Sequence, residues 1–255
     1  MDIRVLGCSG GIGGLEQRTT ALAVDDDILI DCGTGVATLP VEELVKIDHI
    51  FLTHSHLDHI AFLPFIIDSI GDYRSSPITV HAAPETLRIL RSHIFNWLIW
   101  PDFSAIPDRS RPLLRFNELR VGETRELAGR RITALPVLHS VPAIGYQLQG
   151  EEASLAFTGD TTVSANLIAA LNVMDDLRYL VIETAFPNRQ HDLALAARHL
   201  CPQMLFSVLD RLSGTPEVFV THLKPAQAEE IRNELAQYRG RIRPGILANG
   251  QIFRV

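Results

Sequence analysis

The fold is decided by one stretch of the sequence, Thr53-His54-Ser55-His56-Leu57-Asp58-His59. It places three histidines and one carboxylate within six residues, directly after an apolar run that is typical of a strand. Imidazole and carboxylate groups are common ligands of zinc, manganese and iron. Alternate histidines at a strand end can turn toward one ion, and Asp58 and His59, at the start of a helix, can hold a second. Chance clustering or strand capping is the weaker alternative, because four potential ligands rarely occur at this spacing.

Length and charge limit the classes of protein that this chain can represent. The 255 residues are enough to bury a full core, and we predict a single catalytic domain over residues 1–255. The net charge of −7 gives no positive field for nucleic acid or an anionic membrane. Cys8, Cys32 and Cys201 are too widely spaced for a disulfide framework and suit a reducing compartment. No signal sequence or apolar run of ~18 residues occurs, so we expect a soluble, cytoplasmic protein with no membrane partner.

The segments around the metal-binding stretch alternate strands with helices, which predicts a mixed α/β fold. A strand from Asp48 to Thr53 delivers the stretch, and a helix from Ile60 to Ile70 follows, with Pro64 implying a kink or a late start. A longer helix is predicted from Pro84 to Trp100. The glycine-rich loop Gly7–Gly14 leads toward another strand and not toward the helix that a dinucleotide-binding turn requires. We interpret it as a flexible loop at the rim of an active site.

Further histidines and carboxylates follow predicted strands elsewhere in the chain. His139, Asp160, Glu183 and His222 each stand just past an apolar, strand-like run. Open α/β enzymes gather their sites at strand ends, so we expect these side chains to meet. Asp31 also ends a strand, and it is either a plain turn former or the acceptor of a hydrogen bond from a metal-binding histidine.

These residues are enough to hold two divalent ions. A pair of divalent ions can activate water and bind both the attacked and the leaving oxygens of a phosphoryl group, which predicts hydrolysis of a phosphate ester. The predicted ligands are His54, His56 and His139 for one ion, Asp58, His59 and His222 for the other, and Asp160 for both.

The motifs THSHLDH (53–59), FTGDT (157–161) and THLKP (221–225), together with His139, resemble the metallo-β-lactamase superfamily. The resemblance implies an αββα sandwich, in which two mixed β-sheets carry helices on their outer faces. It also implies a dinuclear site between the sheets with the ligands given above. The metal in such sites is usually zinc, and manganese and iron are the alternatives.

Segments that extend beyond the metal ligands resemble the class II cyclic-nucleotide phosphodiesterases: residues 56–70, 84–107, 139–148, 181–188 and 221–225. This resemblance implies hydrolysis of the 3′-ester bond of a 3′,5′-cyclic nucleotide, cyclic AMP being the expected one, to the 5′-monophosphate. The alternative is tRNase Z, the tRNA 3′-processing endonuclease, which has the same ligand order. The interval from His139 to Asp160 has room for a hairpin but not for the tRNA-binding arm of that family. The acidic charge also disfavours tRNA.

Three residues are candidates for the chemistry itself. Asp58 is expected to orient the attacking water as well as to bind metal. Glu183 and His199 resemble a pair in tRNase Z and can protonate the leaving alkoxide. The alternative is that they form a buried ion pair that only steadies the region of Asp160.

The candidates for substrate binding are Trp100, Phe103 and Lys224. Trp100 and Phe103 either offer aromatic faces to a base or pack over the core. Lys224 either meets the phosphate or caps a helix. A homodimer is expected by analogy with the resembling families. Two other functions remain open, a hydrolase of non-phosphate bonds and a catalytically silent protein that binds metal or senses a ligand.

Overall fold

The computed structural model describes all 255 residues and contains two seven-stranded β-sheets. The first sheet has the order β14-β1-β2-β3-β4-β5-β6, with strands β1 Asp2–Gly7, β2 Ala21–Val24, β3 Ile28–Ile30, β4 His49–Phe51, β5 Ile78–Ala82, β6 Leu114–Glu118 and β14 Ile252–Arg254. The second has the order β13-β12-β11-β10-β9-β8-β7, with strands β7 Thr124–Leu127, β8 Arg130–Pro136, β9 Ile144–Gln149, β10 Ser154–Phe157, β11 Leu177–Glu183, β12 Glu217–Thr221 and β13 Gly245–Ile246.

Both sheets are mixed. In the first sheet, β14, β1, β2 and β3 pair antiparallel, whereas β3, β4, β5 and β6 pair parallel. In the second sheet, β7 to β10 pair antiparallel and β10 to β13 pair parallel. The parallel strands of each sheet therefore end at one edge, and the loops that follow them gather there.

The side chains of each strand alternate between a central core and an outer core. In β3, Ile28 and Ile30 belong to the central core, which the two sheets share, whereas Leu29 belongs to the core under the helices of the first sheet. Tyr146 and Phe157 of the second sheet complete the central core and are fully buried. These cores confirm the predicted αββα sandwich.

The helices cover the outer faces of the two sheets. Those on the first sheet are α1 Val41–Leu44, α2 Leu57–Ile60, α3 Leu63–Ile70 and α4 Pro84–Ile89. Those on the second sheet are α5 Ala165–Asn172, α6 His191–Ala197, α7 Pro202–Leu209 and α8 Ala228–Leu235. None of them combines the length and the apolar character that a membrane crossing requires.

Two of the predicted helices differ from the observed ones at their ends. Pro64 lies in the first turn of α3, which confirms the late start. The predicted helix from Pro84 to Trp100 is too long, because α4 ends at Ile89 and a single π-helical turn closes the segment. The Asn96 side chain accepts hydrogen bonds from two backbone N–H groups that follow it, at 2.9 and 3.0 Å. Such bonds compete with the helix, and Trp97 takes a left-handed backbone with φ of 65°.

A histidine pair joins β4 and β5. His81 is 2% exposed, and its ring stacks on Phe51 with the ring centroids 4.3 Å apart. Its Nε2 lies 3.1 Å from Nδ1 of the half-buried His49. Burial, together with the nearby His49 and Arg125, lowers the pKa of His81 from its ordinary value of 6.5 to about 3. As the pH falls below 6.5, the unfolded chain takes up this proton before the folded chain does, so acid favours unfolding.

We expect His81 alone to reduce the free energy of unfolding by about 2 kcal/mol between about pH 7 and about pH 5. The substitution His81→Phe keeps an aromatic ring against Phe51, but this ring cannot bind a proton. With both proteins free of metal, the free energy of unfolding of the variant should therefore fall less over this pH range than that of the wild type. Urea unfolding of both proteins at each pH measures the difference. Equal losses in the two proteins would contradict this account of His81.

Candidate metal centre

The predicted ligands converge at one edge of the sandwich, and both sheets contribute them. The loop after β4 and the helix α2 supply the residues from the first sheet, while the loops after β8, β10 and β12 supply those from the second. The predicted ligands form two clusters, His54, His56, His139 and Asp160 in the first and Asp58, His59, Asp160 and His222 in the second, and a third group, Asp160 with Glu183 and His199, lies beside them.

The first cluster contains three imidazoles around one carboxylate oxygen. Nε2 of His139 lies 3.2 Å from Nδ1 of His56. Oδ2 of Asp160 lies 3.7 Å from Nε2 of His54 and 3.9 Å from Nε2 of His139. Within each cluster, all the candidate ligand atoms lie within 4.8 Å of one another.

The second cluster forms around the other oxygen of the same carboxylate. Oδ1 of Asp160 is 3.4 Å from Nε2 of His59 and 3.2 Å from Nδ1 of His222. Oδ2 of Asp58 is 3.8 Å from Nε2 of each of these histidines. Each oxygen of Asp160 therefore faces a different cluster.

The clusters contain buried nitrogen atoms that have no hydrogen-bond partner. These atoms are Nε2 of His54, Nε2 of His59 and both ring nitrogens of His222. Buried polar atoms are nearly always satisfied, so such a group of atoms indicates a cation site. Burial, followed by the nearby His59, holds the pKa of His54 well below its ordinary value, which keeps that ring in the neutral form that binds metal. Imidazoles that surround a shared carboxylate fit divalent ions.

Hydrogen bonds outside the clusters fix the orientation of two rings. Asp31 Oδ2 accepts a 2.7 Å hydrogen bond from Nδ1 of His59, and the Asp31 carboxylate also accepts from the backbone N–H and the hydroxyl of Thr53, each at 2.8 Å. Nδ1 of His139 donates to the carbonyl of Arg198 at 3.1 Å. Both bonds leave Nε2 directed at the clusters. Of the two predictions for Asp31, the hydrogen bond to a histidine is confirmed.

The glycine-rich loop holds the backbone of the second cluster. The His222 backbone donates to the carbonyl of Cys8 at 2.8 Å and is left-handed, with φ of 64°. A Cβ atom on Gly10 would lie 2.3 Å from the His222 carbonyl oxygen, so no larger residue fits there without a shift. Gly10 is buried against the site, whereas Ile12 is exposed. The flexibility of this loop stays a prediction.

Glu183 and His199 form the predicted pair beside both clusters. Nδ1 of His199 lies 2.6 Å from Oε1 of Glu183, which also accepts a 3.0 Å hydrogen bond from the Thr161 backbone. The His199 ring stacks on His222, with centroids 5.4 Å apart. Burial lowers the pKa of His199, but the carboxylates of Glu183 and Asp160 outweigh burial, and the net pKa is raised. The contact is confirmed, and the part it plays in catalysis stays a prediction.

The structure separates the three candidates for substrate binding. Phe103 is 4% exposed and lies in the core under the helices of the first sheet, so its assignment to a pocket wall is corrected in favour of core packing. Trp100 is half-buried against the same core, with its ring centroid 5.1 Å from that of Phe65. Lys224 follows His222 by two residues and is the N-cap residue of the short 3-10 helix Pro225–Gln227, without a side-chain capping bond. The roles of Trp100 and Lys224 stay predictions.

Residues 26–235 match the family described as the β-lactamase superfamily domain. The chain belongs to this family. It is 28% identical over 213 residues to a probable 3′,5′-cyclic-nucleotide phosphodiesterase of Yersinia pestis, an alignment that covers 73% of this chain and 60% of that protein. It is 32% identical over 142 residues to ribonuclease Z of Bradyrhizobium diazoefficiens, covering 52% of this chain and 44% of that protein.

The chain thus spans about half the length of the curated relatives that it matches. Among solved structures, unliganded yeast PDE1 superposes with a TM-score of 0.78 at 22% identity and covers 98% of both chains. At this identity the superposition shows a common fold, and it supports the sandwich described above.

We expect Asp160→Ala to lower the zinc retained after dialysis from about two ions per chain to about one or fewer, because both clusters lose a ligand. Elemental analysis of the purified proteins measures this ratio. The matched control is Asp48→Ala, which removes a carboxylate that pairs with Arg74 next to the start of β4. Equal zinc contents in the wild type and Asp160→Ala would contradict the shared-ligand assignment.

Proposed function

We propose that this protein is a metal-dependent phosphodiesterase that cleaves the 3′-ester bond of 3′,5′-cyclic nucleotides, cyclic AMP first among them, to give 5′-monophosphates. The observation that carries the proposal is the pair of ligand clusters that meet at Asp160, with unpaired ring nitrogens in both. Two divalent ions held there, zinc with manganese or iron as alternatives, would supply Lewis acidity and lower the pKa of water.

Two side chains can carry out the remaining steps, which are the orientation of the attacking water and the protonation of the leaving oxygen. The Asp58 side chain is 30% exposed, so its carboxylate can accept a hydrogen bond from an attacking water and orient it. In hydrolysis, the water oxygen bonds to phosphorus and the bond from phosphorus to the 3′-oxygen breaks. His199 can give a proton to that oxygen, while the hydrogen bond from its Nδ1 to Glu183 orients the ring and stabilises its charged form.

Three observations support a small diester as the substrate. The segment from His139 to Asp160 consists mainly of the hairpin strands β9 and β10, which leaves no inserted arm at this position. The net charge of −7 is unfavourable for a polyanion. The Yersinia pestis relative is described as a probable cyclic-nucleotide phosphodiesterase.

Processing of tRNA 3′ ends is the second candidate, because relatives described as ribonuclease Z also match the chain. A competition panel on one zinc-defined preparation separates the two functions: cyclic AMP, cyclic GMP, 2′,3′-cyclic nucleotides and a precursor tRNA. We expect turnover of cyclic AMP and no cleavage of the tRNA. If no cyclic nucleotide is hydrolysed with zinc, manganese or iron, the proposal is refuted. Lactone and thioester substrates are assayed in the same panel to detect a hydrolase of non-phosphate bonds.

We expect His199→Ala to lower kcat for cyclic AMP by about 10²- to 10⁴-fold, because the proton donor is lost. The zinc content should stay unchanged, since His199 belongs only to the third group, in which its Nδ1 is hydrogen-bonded to Glu183. Steady-state kinetics and elemental analysis are run together, with the exposed His93→Ala as the control. Loss of zinc in step with activity would instead support the structural ion-pair alternative.

A further inference from the structure

A cavity of about 590 Å³ lies beside the metal centre. Its walls come from the start of α4, the turn between β6 and β7, the loop after β8, and Arg198, which follows α6. Eight of its 15 lining residues are hydrophobic, and its volume falls within the ~300–1,000 Å³ that is typical of small-molecule pockets. The other large cavities include no residue of either ligand cluster.

Ser140 lies where this cavity meets the first cluster. His139 itself lines the cavity. The Ser140 side chain is exposed, and its hydroxyl oxygen is 3.4 Å from Nε2 of His139, the nitrogen that faces His56. A group bound in the cavity and a group bound at the cluster can therefore belong to one small molecule.

Arg198 presents a guanidinium at the wall of the same cavity. Its backbone is left-handed, with φ of 55°, and its carbonyl and its side chain both bond to His139. Nη1 donates to the His139 carbonyl at 2.8 Å. No carboxylate lies within ion-pair distance, so most of its five N–H donors stay free for a ligand.

We propose that this cavity binds the nucleoside part of the substrate. The inference rests on the proposed function, which places the phosphate at the metal centre. A nucleoside has an apolar face and polar edges, and the cavity matches both. Pro84, Val121 and Pro142 form apolar wall against which a base can pack. The Ser140 hydroxyl and the Arg198 guanidinium are donors for ribose and base oxygens or nitrogens at the end nearest the metal centre.

Calorimetric titration of the zinc-loaded protein with 5′-AMP and with inorganic phosphate tests this assignment. Val121 is 53% exposed, lies in the turn before β7 and belongs to neither ligand cluster, so Val121→Trp can fill part of the cavity without replacing a metal ligand. We expect this variant to raise the Kd of 5′-AMP by about tenfold or more through steric exclusion, and to leave the Kd of phosphate within about twofold.

The control is Val173→Trp, because Val173 is also exposed and lines a neighbouring cavity that Val121 shares. Neither Kd should change in this control by more than about twofold. The assignment is overturned if Val121→Trp leaves 5′-AMP binding unchanged, if both Kd values rise together, or if the wild type binds 5′-AMP no tighter than phosphate. Selective loss of 5′-AMP binding without any hydrolysis of cyclic nucleotides would support the cavity and reject the proposed reaction.

Discussion

The site depends on one carboxylate, that of Asp160. It is almost fully buried, and each of its oxygens faces a different group of imidazoles. A buried charge of this kind is costly unless cations or hydrogen-bond donors surround it. The nearby histidines hold the pKa of Asp160 well below its ordinary value, even though burial alone would raise it. The surrounding loops therefore have to keep their positions if the carboxylate is to remain charged.

That requirement explains several features of the backbone around the centre. Asp31 adopts a left-handed conformation with φ of 58° and accepts hydrogen bonds from Thr53 and His59. His222 is also left-handed and lies so close to Gly10 that no side chain fits between them. Such backbone conformations cost free energy for residues other than glycine. They persist here because buried hydrogen bonds and close packing fix them.

The sequence predicted the parts of this protein that local patterns determine. The ligands stand beside apolar strand runs, so their positions predicted that they meet at strand ends, whereas the sandwich followed from the resemblance of their motifs to the metallo-β-lactamase superfamily. The helix after Pro84 was predicted too long, because side-chain hydrogen bonds of Asn96 compete with the helix and leave no signal in hydrophobic periodicity. Arg198 was missed because its contacts with His139 span 59 positions of the chain. Aromatic composition alone could not show that Phe103 is enclosed in the core.

The position of the centre also bears on the mechanical behaviour of the sandwich. His54 and His59 follow a strand of the first sheet, whereas His139, Asp160 and His222 follow strands of the second. An ion coordinated by both groups would cross-link the two sheets, in addition to the apolar core between them. Because metal binds the folded state, the free energy of unfolding would increase with the concentration of available metal. Catalytic competence and resistance to unfolding would then rise and fall together with the same ion.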